Sequence, residues 1–153
     1  MKKYGIIGYP LAQSASPKFF NEKFAAEGID ARYIPFEIES TDELPHIIRQ
    51  HPELCGFNVT IPHKVNVMQH LAGISDEAKA INAVNVVKVM RDSNGKAQLW
   101  GYNSDVIGFS RSIKPLLGTN HKKALVLGTG GASKAIVYAL EKLGLEVQQV
   151  SRK

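Results

Sequence analysis

A single cysteine, Cys55, stands in a chain of 153 residues, so no disulfide within the chain is available to staple the fold. That suits a reducing compartment, and the apolar neighbours of Cys55 assign it to the interior as a structural thiol rather than a nucleophile. Apolar stretches of the roughly 20 residues needed to cross a bilayer are missing, and the apolar run after Met1-Lys2-Lys3 is too short for a signal peptide. A cytoplasmic protein that engages no membrane is the expectation. Runs of like charge are missing as well. The 19 Lys and Arg outnumber the 14 Asp and Glu, for a formal net charge of +5, but they are scattered. This argues against a nucleic-acid surface and favours small anionic ligands. No metal site is expected.

What remains is an ordinary globular balance, 44% hydrophobic and 22% charged, sufficient for one full core or for one domain and part of another. The chain is organised around Asn58-Val59-Thr60-Ile61-Pro62-His63-Lys64. Cys55 to Val59 alternate as a short strand does, and Pro62 suits the first position of a helix. The segment then delivers an amide, a hydroxyl and an ammonium at a strand-to-helix junction. Lys64 would fall in the first helical turn, where the dipole and the apolar neighbours both disfavour its charge, making it a candidate proton donor. A solvated surface lysine is the alternative on these seven residues alone.

In chain order, residues 4–9 read as a strand, followed by a loop to Ser16-Pro17, an N-cap and a proline at the helix start. Ser14 and Ser16 thus precede a helix N-terminus, a natural seat for a carboxylate or phosphate; simple capping is the alternative. Gly28 ends that helix as a left-handed residue. Residues 31–38 read as a strand whose Pro35 points to an edge or a bulge. The next helix carries Leu44, Ile47 and Ile48, its start contested between a capping box at Ser40 and Pro45 in the first turn. Ser75 opens a further short helix, residues 83–89 are strongly β, and Asn94-Gly95 signals a hairpin back through Leu99-Trp100. Asp105 enters another helix, with Ser104 as N-cap. The pattern is α/β, built on a mixed sheet, and ligands of such sheets bind at the carboxyl ends of strands. Ser14, Thr60, Lys64, Asn85 and Asp105 all lie at strand ends or at the loop-to-helix junctions after them. Asn85, inside an apolar strand, needs a polar partner that a ligand or a neighbouring strand could supply.

After a polar linker at 118–121 come an apolar strand (123–127), the turn Gly128-Thr129-Gly130-Gly131-Ala132-Ser133, a regular amphipathic helix and a second strand ending near Val150. This βαβ unit suits a pyrophosphate on the helix N-terminus, although Ser133 stands where the last glycine of G-x-G-x-x-G would be. At the tip of the second strand, Ser151-Arg152-Lys153 offers no carboxylate for a ribose 2′-hydroxyl. Arg152 can instead grip a 2′-phosphate with Lys153 beside it, which selects NADP over NAD.

The segments Ser14-Ala15-Ser16-Pro17, Asn58 to Lys64, Ala83-Val84-Asn85, Gly101-Tyr102-Asn103-Ser104-Asp105 and Gly128 to Ser133, in this order, resemble the amino-terminal part of the shikimate dehydrogenase family. The resemblance implies a mixed-sheet substrate-binding domain over 1–103, a bridging helix over 104–117, and over 118–153 the first βαβ unit of a Rossmann-like dinucleotide-binding domain. It implies NADPH-dependent reduction of 3-dehydroshikimate to shikimate in aromatic amino-acid biosynthesis. Ser14 and Ser16 would hold the substrate carboxylate, Thr60, Asn85 and Asp105 its hydroxyl side, and Lys64 with Asp105 would be the catalytic pair. Gly128, Gly130, Gly131, Ala132 and Arg152 would bind the cofactor. Asn82, Val86 and Ser104 depart from the family's usual glycine, threonine and threonine. The family's nucleotide domain is longer, so the 153 residues are expected to be a fragment, inactive alone, whose uncovered second-unit strand leads to a homodimer or swapped assembly, or to loose order over 118–153. A quinate/shikimate dehydrogenase and a non-catalytic shikimate- or quinate-binding module are the alternative readings.

Overall fold

The structure is a computed structural model that describes residues 1–152; Lys153, expected to assist Arg152, lies outside the described residues. Strand β1 (Lys2–Gly8) is followed by helix α1 (Ser16–Ala26), β2 (Ala31–Glu37), α2 (Leu44–Gln50), β3 (Leu54–Val59), a two-residue β4 (Gly73–Ile74), α3 (Asp76–Ile81) and the hairpin β5 (Val86–Arg91) and β6 (Ala97–Tyr102). Helix α4 (Asp105–Ile113) then leads to β7 (Lys123–Leu127), α5 (Gly131–Lys142) and β8 (Glu146–Val150). The first six strands form one mixed sheet in the order β2-β1-β3-β5-β6-β4, and β7 and β8 pair in parallel as a second sheet. The expected α/β architecture is therefore present.

Local chemistry accounts for most element ends. Pro35 is tolerated because β2 is the edge strand, as its lack of an N–H requires. The contested start of α2 resolves into both signals used in succession. Ser40 makes a full capping box with Glu43 over a 3₁₀ turn (Thr41–Glu43), and Pro45 then sits in the first turn of α2. Gly28 ends α1 at φ +65°, as expected. The hairpin turn is a three-residue loop rather than a two-residue one: Asp92 N–H donates to the Lys96 carbonyl, and only Gly95 adopts positive φ, at +78°.

The main core lies on the face of the first sheet covered by α2 and the 3₁₀ helix after β3, with Ile7, Leu44 and Val67 fully buried among Leu54, Phe57 and Val87. The opposite face of β1 and β2 is covered by α1 through Phe20 and Phe24 against Ile6 and Tyr33. Asn21 locks this contact, its side chain bonding both the N–H and the carbonyl of Tyr33. Helix α5 packs on α3 and α4 through Ala135 and Ala139, both fully buried, against Ile81, Ala83 and Val106. Strand β4 escapes sequence reading because it is two residues long, made possible by Gly73, where a Cβ would run into the Trp100 ring. Cys55 is half-buried rather than fully interior, its thiol donating to the Glu53 carbonyl at 3.4 Å.

Candidate active site

One expectation fails at the centre of the chain. No α-helix begins at Pro62: residues 61–65 form a turn after a cis Ile61-Pro62 bond, and a 3₁₀ helix follows only at Asn66–His70. The backbone partners explain why. The Lys64 carbonyl, which in an α-helix would accept from residue 68, accepts from Val84 N–H at 2.7 Å, and Met68 N–H turns to the Val65 carbonyl. His63 anchors the turn inside the protein, its Nε2 2.8 Å from the Ile38 carbonyl. Lys64 therefore owes its placement to a tertiary tie to residue 84, and the helix-dipole argument for it has no helix.

Topology gathers the candidates at one end of the first sheet. Strands β1 and β3 are parallel neighbours, Ile7 beside Val59, so the loop carrying Ser14 and the turn carrying Thr60 emerge side by side. Tyr9 N–H joins the Ile61 carbonyl across them at 3.0 Å. Strand β5 is antiparallel to β3, with Val86 opposite Asn58, so Asn85, just before β5, arrives at the same end. Strand β6 runs back with Tyr102 opposite Val86, which delivers Asp105 there too.

Three of these side chains meet directly. Lys64 Nζ donates to Asp105 Oδ2 at 2.7 Å, and Asn85 Nδ2 donates to Asp105 Oδ1 at 2.7 Å. The lysine side chain is only 13% exposed and the aspartate 31%, so the pair is partly shielded from water. Asn85 spends its other groups on Ser104, donating to Oγ at 3.1 Å and accepting from the Ser104 N–H at 2.8 Å. The partner that Asn85 requires is thus supplied by the segment after β6.

Two capping assignments change in consequence. Ser104 precedes α4 without capping it through its side chain, because its hydroxyl is engaged by Asn85. The N–H of Asp105 is satisfied instead by Asn103 Oδ1 at 2.9 Å. Ser16 is the first residue of α1 rather than its cap, since the Ala15 carbonyl already accepts from Phe19 N–H. Burial pushes the pKa of the neighbouring Tyr33 phenol far above the usual tyrosine range, and the nearby Ser16 opposes this in part.

Residues without an assigned role in the sequence complete the support. Tyr33 Oη donates to Asn58 Oδ1 at 2.7 Å. Asn103, 4% exposed, donates to the Ala83 carbonyl while accepting from Asp105. Glu37 accepts from Leu11 N–H at 2.6 Å and holds the serine loop. Asn58 stood inside the motif, but nothing in the sequence pairs it with Tyr33, which lies 25 residues away.

The glycine turn lies between β7 and α5. Gly128 has φ +109°, which only glycine adopts without strain. Its N–H donates to the Val150 carbonyl at 2.7 Å, and its carbonyl accepts from Gln149 Nε2 at 2.7 Å, tying the turn to the tip of β8. Gly130 is the backbone N-cap of α5, and a Cβ there would meet nothing within 4 Å. Ala132 is exposed in the first turn of α5. Leu127, Gly128, Thr129, Val150, Ser151 and Arg152 line an open cavity of about 700 Å³. A glycine turn with open backbone beside an exposed arginine fits a phosphorylated dinucleotide. Of β7, Leu125 and Leu127 are 61% and 76% exposed, so only the face toward α5 is covered. Among the described residues, no helix is long and apolar enough to cross a membrane, and no cluster of three or more His, Cys, Asp or Glu side chains could hold a metal ion.

Polar side chains thus converge at one end of a mixed-sheet unit that is joined to a glycine-turn βαβ unit. Residues 6–87 match the model of the shikimate dehydrogenase substrate binding domain, and the chain belongs to that family. It is 44% identical over 147 residues to the NADP(+) shikimate dehydrogenase of Aquifex aeolicus, covering 94% of this chain and 52% of that protein. The crystal structure of the Aquifex aeolicus shikimate dehydrogenase superposes with a TM-score of 0.85 at 42% identity, over 100% of this chain and 56% of that one. The Thermus thermophilus enzyme in complex with NADP(H) and shikimate superposes at 0.81 with 33% identity, over 100% and 57%. The chain spans about half the length of the curated relatives it matches.

Proposed function

We propose that this chain provides the substrate-binding half and the first nucleotide-binding unit of an NADP-dependent shikimate dehydrogenase, with Lys64 and Asp105 as the acid/base pair. The observation that carries this reading is the Asp105 carboxylate held between Lys64 and Asn85 at 2.7 Å on either side. An ammonium held so, with donors left over, can release a proton to an oxygen beside it. Residues 1–103 act as the substrate-binding domain, 104–117 as a bridge and 118–153 as the start of the nucleotide domain.

NADPH, when bound at the glycine turn, supplies a hydride to the ketone carbon. Lys64 protonates the oxygen on which negative charge develops. Asp105 aims the ammonium, and Asn85 fixes the orientation of Asp105. Ser14 and Ser16 receive the substrate carboxylate, and Thr60, Asn85 and Asp105 face its hydroxyl side. Arg152 takes the 2′-phosphate of the cofactor. By itself the chain binds substrate without turning over, because a two-stranded β7–β8 sheet exposes the strand face that a parallel sheet normally covers.

The test is Lys64→Ala and Asp105→Asn in a chain extended to the length of its relatives, read as shikimate-dependent NADP reduction. Turnover is expected to fall by roughly two to four orders of magnitude with shikimate binding largely retained. Unchanged turnover in both variants overturns the assignment.

A further inference from the structure

The glycines of the 128–131 turn differ in what a side chain would meet. Gly128 is required by its backbone angle, and Gly130 opens on free space. Gly131, the first residue of α5, has ordinary backbone geometry, but a Cβ there would lie 2.8 Å from Lys64 Cβ and 3.2 Å from Lys64 Cδ. We propose that Gly131 is a positioning residue for Lys64: the absent side chain is the space through which the lysine stem passes to reach Asp105. The consequence for catalysis rests on Lys64 being the proton donor; the placement itself does not.

Neither side of this contact can yield cheaply. Lys64 Cβ is one bond from a backbone tied to Val84 N–H at 2.7 Å, and its neighbour His63 is 2% exposed with its ring on the Ile38 carbonyl. Helix α5 is seated by Ala135 and Ala139, both at 0% exposure against Ile81, Ala83 and Val106, so it cannot retreat without opening a close-packed interface. Rotation of the lysine stem cannot relieve a methyl group at 131, because Lys64 Cβ stays where its backbone holds it; the Lys64 backbone or α5 must shift, and either shift carries the ammonium off its 2.7 Å contact with Asp105. The turn suited to the nucleotide and the lysine suited to proton transfer are therefore in register through one missing side chain. A lysine on an exposed surface would impose no such demand.

Site-resolved acylation of the 153-residue chain with limiting acetic anhydride, read by mass spectrometry, tests this without requiring turnover. The 60% exposed Lys79 serves as internal reference. Gly131→Ala is expected to raise the rate at Lys64 relative to Lys79 by roughly fivefold, toward the value in Asp105→Asn, as the charge-assisted bond is lost. Gly130→Ala, in the same turn, should leave it unchanged. A wild-type Lys64 rate in a folded Gly131→Ala chain overturns the proposal. If Gly131→Ala alone does not fold, adding Lys64→Gly removes the clashing Cβ and should restore a cooperative thermal transition; failure to restore it also overturns the proposal. A wrong assignment of the proton donor would appear in turnover of Lys64→Ala and not in these rates.

Discussion

Asn85 and Asp105 lie 20 residues apart, and the amide of one fixes the carboxylate of the other at 2.7 Å while two further bonds to Ser104 hold the amide itself. Asp105 is thereby presented to Lys64 with one oxygen already committed. Asn85→Ala should loosen that presentation. Loss of a hydrogen bond to a charged group is worth about 1.5–3 kcal/mol, so kcat in the full-length enzyme is expected to fall by roughly 10- to 100-fold. Asn85→Asp should fall further, because it sets a second carboxylate against the first. Steady-state kinetics of the two variants decide the order; equal kcat for wild type and Asn85→Ala would show that Asp105 needs no such support.

Tyr33 carries a pH dependence of the fold. Its phenol is buried and donates to Asn58, and burial raises its pKa above the ordinary tyrosine value. A raised folded-state pKa means that the unfolded chain loses its proton first. The contribution of Tyr33 is therefore fully present below about pH 10 and declines as pH rises beyond it. Thermal melts between pH 8 and 11.5 should show wild type losing stability faster than Tyr33→Phe above pH 10. Parallel curves would contradict this.

Asn82 ends α3 at φ +56°, the one non-glycine residue with positive φ among those described. Asparagine tolerates this conformation better than a residue such as alanine. Asn82→Ala is expected to cost about 1 kcal/mol, whereas Asn82→Gly should be neutral or slightly stabilising. Denaturant titration of both variants measures the difference, and an Asn82→Ala chain as stable as wild type would refute it.

Cofactor choice is expected to reside in Arg152, exposed at the tip of β8 beside the glycine turn. In a full-length chain, calorimetry should show tighter binding of NADP than of NAD. Arg152→Ala should cost NADP roughly tenfold or more while leaving NAD nearly unchanged, the signature of a lost bidentate phosphate contact. Equal losses for both nucleotides would point away from the 2′-phosphate.

Local signals in the sequence determined much of this protein. Alternating and periodic apolar residues gave the strands and helices; Gly28 marked a left-handed helix end and Asn94-Gly95 a hairpin; Pro35 marked an edge strand. These are legible because each depends on a residue and its near neighbours. The motifs around Ser14, Thr60, Asn85 and Asp105 were legible as strand-end chemistry for the same reason. Tertiary structure alone decided how those ends meet. Helix propensity and a proline pointed to a helix at Pro62, and a hydrogen bond from Val84 to the Lys64 carbonyl overrode them. Ser104 was a plausible cap until Asn85 engaged its hydroxyl. Tyr33 finds Asn58, and Gly131 makes room for Lys64, across 25 and 67 positions of chain respectively. Such pairings follow from parallel and antiparallel strand order and from helices seated on one another, and residue type and spacing along one chain do not encode them locally.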